Sequence, residues 1–160
     1  MIDTQTITWR DAKEAIDNLV SQSKELDPPY DKRDTAIAIH AVNSNLQFRD
    51  YFLGLPKDVP LGVMLNLVSY LGEEASTTET KIPFMTIASA YCHEAGQYDL
   101  ASEGIDLVLS QKEYPLAMLL RRLYNSDTPS STWGQMRNEL HEQVIKVIQD
   151  NLDMDVAQQN

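Results

Sequence analysis

Apolar residues recur along this chain at steps of three and four, and polar runs carrying glycine or proline separate them, so the pattern predicts helices from end to end. Thr8, with Asp11 three residues later, opens a face of Trp9, Ala12, Ala15, Ile16, Leu19 and Val20. Arg10, Lys13, Glu14 and Asp17 lie opposite, and this helix is expected to end near Lys24. Asp27-Pro28-Pro29-Tyr30 breaks it, because consecutive prolines cannot continue a helix. A second helix begins at Asp31 or Lys32. Its Ile37 and Ile39 alternate like a strand, but the alanines around them favour a buried helix. Asn43-Ser44-Asn45 offers a cap for a third, from Leu46 to Leu53, closed by Gly54 and Pro56. Val59-Pro60 starts a fourth, with Leu61, Met64, Leu65, Val68 and Leu71 on one face and Gly72 at its end. The polar run from Glu73 to Lys81 reads as a mobile loop.

From Ile82 to Tyr124 the pattern predicts a helical hairpin with a third helix behind it. Ile82, Met85, Ala88 and Cys92 mark the buried stripe of the first helix, and Gly96 stands where a left-handed C-cap would sit. Leu100, Ala101, Ile105, Val108 and Leu109 resume the period after so few residues that the two helices must lie antiparallel. Pro115, in its favoured first-turn position, opens Leu116, Leu119, Leu120 and Leu123. A last helix carries Trp133, Met136, Leu140, Val144, Ile145, Val147 and Ile148. No segment reads as a strand. The expected fold is an all-α, compact bundle of about eight helices in one domain over 1–154, with its core in 9–124, a capping helix at about 131–154 and a frayed tail at 155–160. Trp9 and Trp133 are expected to pin the two ends to the core.

Composition narrows the setting. A length of 160 residues suits one domain, and one cysteine forms no internal disulfide. No apolar run is long enough for a membrane span, and the first residues lack a secretion signal, so a cytoplasmic protein is expected. The net charge of −11 argues against direct nucleic-acid binding, which needs cations to displace counterions from phosphate. Residues 61–110 alone carry −6, through Glu73, Glu74, Glu79, Glu94, Asp99, Glu103 and Asp106 against Lys81. Such a block is either a solvated face or a surface for a basic partner.

Tyr91, Gly96, Tyr98, Ala101 and Ile105, with Val108, resemble one tetratricopeptide-type helical pair, in which glycine makes the turn and a small alanine lets the helices close. No second copy recurs at that family's period, so no solenoid is implied. A wider order also stands out: Arg33-Asp34 opening a small apolar helix, then Gln97-Tyr98-Asp99-Leu100-Ala101, then Tyr114-Pro115-Leu116-Ala117-Met118-Leu119-Leu120. Over about residues 9 to 124 this resembles DUF 4192, a family of unknown function from actinobacteria and actinophages. The Gly-Gln-Tyr-Asp turn and Pro115 depart from its pattern. The resemblance implies a helical scaffold, in a bacterial host cytoplasm if phage-encoded, and no activity.

Catalytic chemistry is thinly represented. His93-Glu94 and His141-Glu142 are adjacent pairs, and helix neighbours point about 100° apart, so neither makes a site alone. The His141 segment lacks the second histidine of a zinc-protease helix. Cys92 falls on the stripe assigned to the core, where a thiol acts as a small hydrophobe. Arg33-Asp34, Arg49-Asp50 and Arg121-Arg122 suit structural roles near helix ends. No phosphate loop, Cys-x-x-Cys pair or nucleophile elbow occurs. No catalytic residue, metal or cofactor is therefore assigned. The expected function is non-catalytic binding of another protein, as a phage-encoded modulator of a host protein on the family resemblance. The contacts would come from Glu94, Asp99, Glu103, Asp106, Glu73 and Glu74 or from a groove beside the hairpin. An acidic DNA mimic that blocks a nuclease is the alternative, and a small hydrolase using His93 or His141 a remote third. Self-association stays open.

Overall fold

The computed structural model describes residues 7–25 and 29–159, and every regular element among them is helical. The α-helices are α1 (Trp9–Glu25), α2 (Lys32–Ser44), α3 (Leu46–Gly54), α4 (Leu61–Glu74), α5 (Thr78–Glu94), α6 (Tyr98–Gln111), α7 (Pro115–Tyr124) and α8 (Ser130–Gln159). A 3-10 turn, Leu55–Lys57, joins α3 to α4. The protein is an all-α bundle of the expected kind. The Asp27-Pro28 part of the first break lies outside the described residues, as does Asn160.

Local side chains start these helices where the sequence places them. Thr8 and Asp11 exchange backbone-to-side-chain hydrogen bonds, both at 3.1 Å, which satisfies two amides at the start of α1. The Asp31 carboxylate accepts from the Asp34 amide at 2.8 Å. Asn45 ends α2 and begins α3, its side-chain oxygen accepting from Gln47 N at 2.9 Å. The expected loop from Glu73 to Lys81 is much shorter than its composition suggests. α4 runs to Glu74, Thr77 and Thr80 form a capping box, and α5 is already under way at Thr78. Pro83 therefore sits inside α5, where it forgoes one backbone hydrogen bond.

α5 is the centre of the bundle. It packs most extensively against α6 and α4, and also meets α3 and α8. Burial on so many sides removes any single apolar stripe: Ile82, Phe84, Ile87, Ala90 and Tyr91 are all buried, with Thr86 and Ser89 among them. This corrects the expected stripe. Only Ile82 of that set is in the core, while Met85, Ala88 and Cys92 are half-exposed along one side.

The hairpin turn is a Schellman closure. Gln97 N donates to Cys92 O at 2.9 Å and Gly96 N to His93 O at 3.1 Å, with Gly96 at φ 82°. Ala101 and Ile105 are fully buried at the α5–α6 contact, and the Ser89 hydroxyl donates to Ala101 O at 2.7 Å. Tyr91 is buried, but its hydroxyl reaches Phe52 O of α3 rather than α6. Tyr98 is half-exposed, its ring lying edge-on to His93 at 5.0 Å.

α8 lies chiefly along α3. Its buried stripe is Trp133, Arg137, His141, Val144, Ile148 and Leu152. Two polar residues thus hold positions that hydropathy assigns to apolar ones, and Met136, Ile145 and Val147 are exposed instead. The helical backbone continues to Gln159, past the expected boundary at 154. Gly54, expected as a helix stop, has an ordinary right-handed φ of −88°. What it provides is room, because a Cβ there would overlap the His141 ring.

Candidate functional site

The six carboxylates singled out from the sequence do not form one rim. Glu94, near the end of α5, turns inward and pairs with Arg137 of α8, itself buried. Its second carboxylate oxygen is buried without a hydrogen-bond partner. Asp106 pairs with Arg121 of α7, which also donates to Ser102 Oγ at 3.1 Å and to Ser102 O at 3.0 Å. These two charges are spent on holding α8 and α7 against the hairpin. Glu73 and Glu74 close α4, where Lys81 Nζ donates to Gly72 O at 2.9 Å and offsets the carbonyl end of the helix. Glu79 is drawn towards Lys112 at 2.8 Å, and the ammonium hydrogen bond holds its carboxyl below the ordinary value.

Glu73 and Glu74 are exposed and make no ion pair among the described residues, and the same holds for Asp99 and Glu103. Asp99 and Glu103 lie on α6 and have exposed leucines for neighbours: Leu100 is 54% and Leu107 51% accessible. The helical period explains this. Ala101, Ile105 and Val108 face α5, so Leu100 and Leu107, one heptad apart, fall on the outer side together with Glu103. Hydropathy alone assigns Leu100 to the core with Ala101 and Ile105, and Leu107 falls outside that run. Their spacing outside the buried stripe was the available signal.

Two clefts open beside α4. One, of about 350 Å³ between α4 and α5, is floored by Val68, Gly72, Phe84, Met85 and Ala88 with Glu73 and Lys81 at its edge. The other, of about 560 Å³, is walled by Tyr30 and Tyr70, whose rings lie 4.4 Å apart, with Lys32 and Glu74 beside it. Its hydroxyls are committed within the fold: Tyr30 donates to Ser23 Oγ at 3.0 Å, and Tyr70 and Thr35 share a hydrogen bond of 2.9 Å.

The histidines lie apart from both clefts. His93 stacks on Tyr124 at 4.5 Å, and His141 stacks on Tyr51 at 5.8 Å. Each has an Nδ1 without a hydrogen-bond partner, and burial pushes both imidazoles below their ordinary value. Burial likewise raises the Cys92 thiol, which disfavours a reactive thiolate. The Tyr124 phenol is pushed up to about 12, chiefly by burial. Among the described residues no three His, Cys, Asp or Glu side chains are grouped to hold a metal ion, and no helix is long and apolar enough to cross a membrane.

No family model, curated protein or solved structure matches the chain. The resemblance to DUF 4192 rests on the quoted residues alone.

Proposed function

We propose that this protein is a non-catalytic helical module that binds a basic amphipathic segment of another protein along the outer face of α6. The observation that carries the reading is the exposure, side by side, of Asp99, Leu100, Glu103 and Leu107. A helix with leucine-sized anchors flanked by lysine or arginine is complementary to that face in both hydropathy and charge. On the family resemblance, the module serves an actinobacterium or its phage as a modulator of a host protein.

A DNA mimic is the second reading, favoured by the same unpaired carboxylates. It calls for acid groups without apolar groups between them, and Leu100 and Leu107 interrupt the series. The discriminating experiment captures partners from actinobacterial lysate with the wild type, D99N/E103Q and L100S/L107S. All four positions are exposed, so the variants keep the fold, which circular dichroism checks. A partner lost by both variants, whose binding segment is a basic helix, supports the proposal. A DNA-binding enzyme lost only by D99N/E103Q supports mimicry. A partner retained by both variants sinks the α6 assignment.

A further inference from the structure

α8 spans 30 residues, about 45 Å, yet its main partner α3 has only 9 residues. Beside the stripe that α8 buries runs a second series, Met136, Leu140, Gln143 and Val147, at steps of four, three and four. Met136 is 48% and Val147 36% accessible, and Leu140 is half-buried. At about 100° per residue this series is centred roughly 100° round the helix from the stripe that meets α3. The steps are those of a two-helix seam. Asp150 ends the apolar part of it.

The flanking charges point to the occupant. Glu139 and Lys146 lie one heptad apart on the outer flank of the seam, and neither makes an ion pair within the chain among the described residues. In an antiparallel helix pair, residues on one flank meet the same flank of the other helix. Lay α8 against a second α8 so that Met136 meets Val147 of the second copy and Leu140 meets Gln143. Glu139 then faces Lys146 of the second copy, and by the two-fold axis Lys146 faces its Glu139. One register puts apolar side chains together in the two outer layers, sets Leu140 over Gln143 in the two inner ones, and pairs both charges. We infer that this face of α8 is a self-association surface, on which a second copy of the chain docks antiparallel. The contact comprises four layers over about 17 Å, which suits a weak, reversible dimer.

The test uses charge reversal, with sedimentation velocity on the full chain over about 5 to 500 µM, the range in which an interface this small should dissociate. The wild type is expected to shift from monomer to dimer across that range. E139K places lysine against Lys146 twice, and K146E places glutamate against Glu139 twice, so each alone should weaken the dimer at least about tenfold. Mixing the two single variants restores both attractive pairs, and so does E139K/K146E in one chain. Recovery in the mixture is the signature, since damage to the fold would not be rescued by a second damaged chain. A wild type that stays monomeric throughout overturns the inference. So does a dimer indifferent to the single reversals, or one that mixing fails to restore.

Discussion

His141 shows how one residue can couple packing to pH. It is almost fully buried, fits only because residue 54 has no side chain, and stacks on Tyr51, whose hydroxyl donates to Asp17 at 2.7 Å. Its Nε2 is 4.0 Å from the exposed Asp58, too far for a hydrogen bond, and burial outweighs that attraction. The folded protein therefore prefers the neutral ring, as it does at His93. With folded values below the ordinary 6.5, stability is complete above pH 6.5 and declines as the pH falls from there towards the folded values. Histidine proton shifts should show both rings titrating below 6.5, and H141N should flatten part of the stability loss seen by urea unfolding between about pH 7 and 5.5. Gly54→Ala is expected to cost about 1–3 kcal/mol through overpacking, read in the same urea titration. It should cost far less in an H141A background, where the ring it strikes is gone. Equal losses in the two backgrounds would show that room for His141 is not the role of Gly54.

Among elements, the joints are held by a few side chains of separable cost. The left-handed Gly96 has open space around it, so Gly96→Ala meets only backbone strain and should cost about 1 kcal/mol. Thr77→Ala removes the hydroxyl of the box that starts α5 and should cost about as much, roughly 0.5–2 kcal/mol. Thermal unfolding would register either loss. The pair between Glu94 and Arg137 is the larger lever, because Arg137 is buried and Glu94 mostly so. Arg137→Met leaves a carboxylate facing apolar surroundings and should cost about 2–4 kcal/mol, the exposed part of Glu94 reducing the full penalty. Adding E94L should recover most of it. A double variant no more stable than Arg137→Met would show that the charges contribute more than burial takes away.

For the molecule as a whole, α8 is the lid on the core, since Trp133, Val144, Ile148 and Leu152 belong to the same apolar cluster as α1, α3 and α5. A chain ending at residue 129 would uncover that cluster, and it is expected to bind a dye such as ANS strongly and to lose cooperative unfolding. Cooperative melting without dye binding would instead make the seven-helix body autonomous. Local order is legible in the residues alone: the helix starts at Thr8, Asp31 and Asn45, the hairpin turn at Gly96, the Pro115 opening, and the all-helical character. Each depends on residues within about a turn of one another, which is the range over which capping and backbone preference act. Tertiary structure alone decided which apolar faces are used. Leu100, Val147 and Met136 have the hydropathy of core residues but lie outside it, while Arg137 and His141 lie inside, because burial depends on what stands opposite. It also decided which acids are left for a partner. Glu94 lies 43 residues from Arg137 and Asp106 lies 15 from Arg121, so only the packing of α7 and α8 against the hairpin brings those charges into contact and leaves Asp99 and Glu103 to solvent.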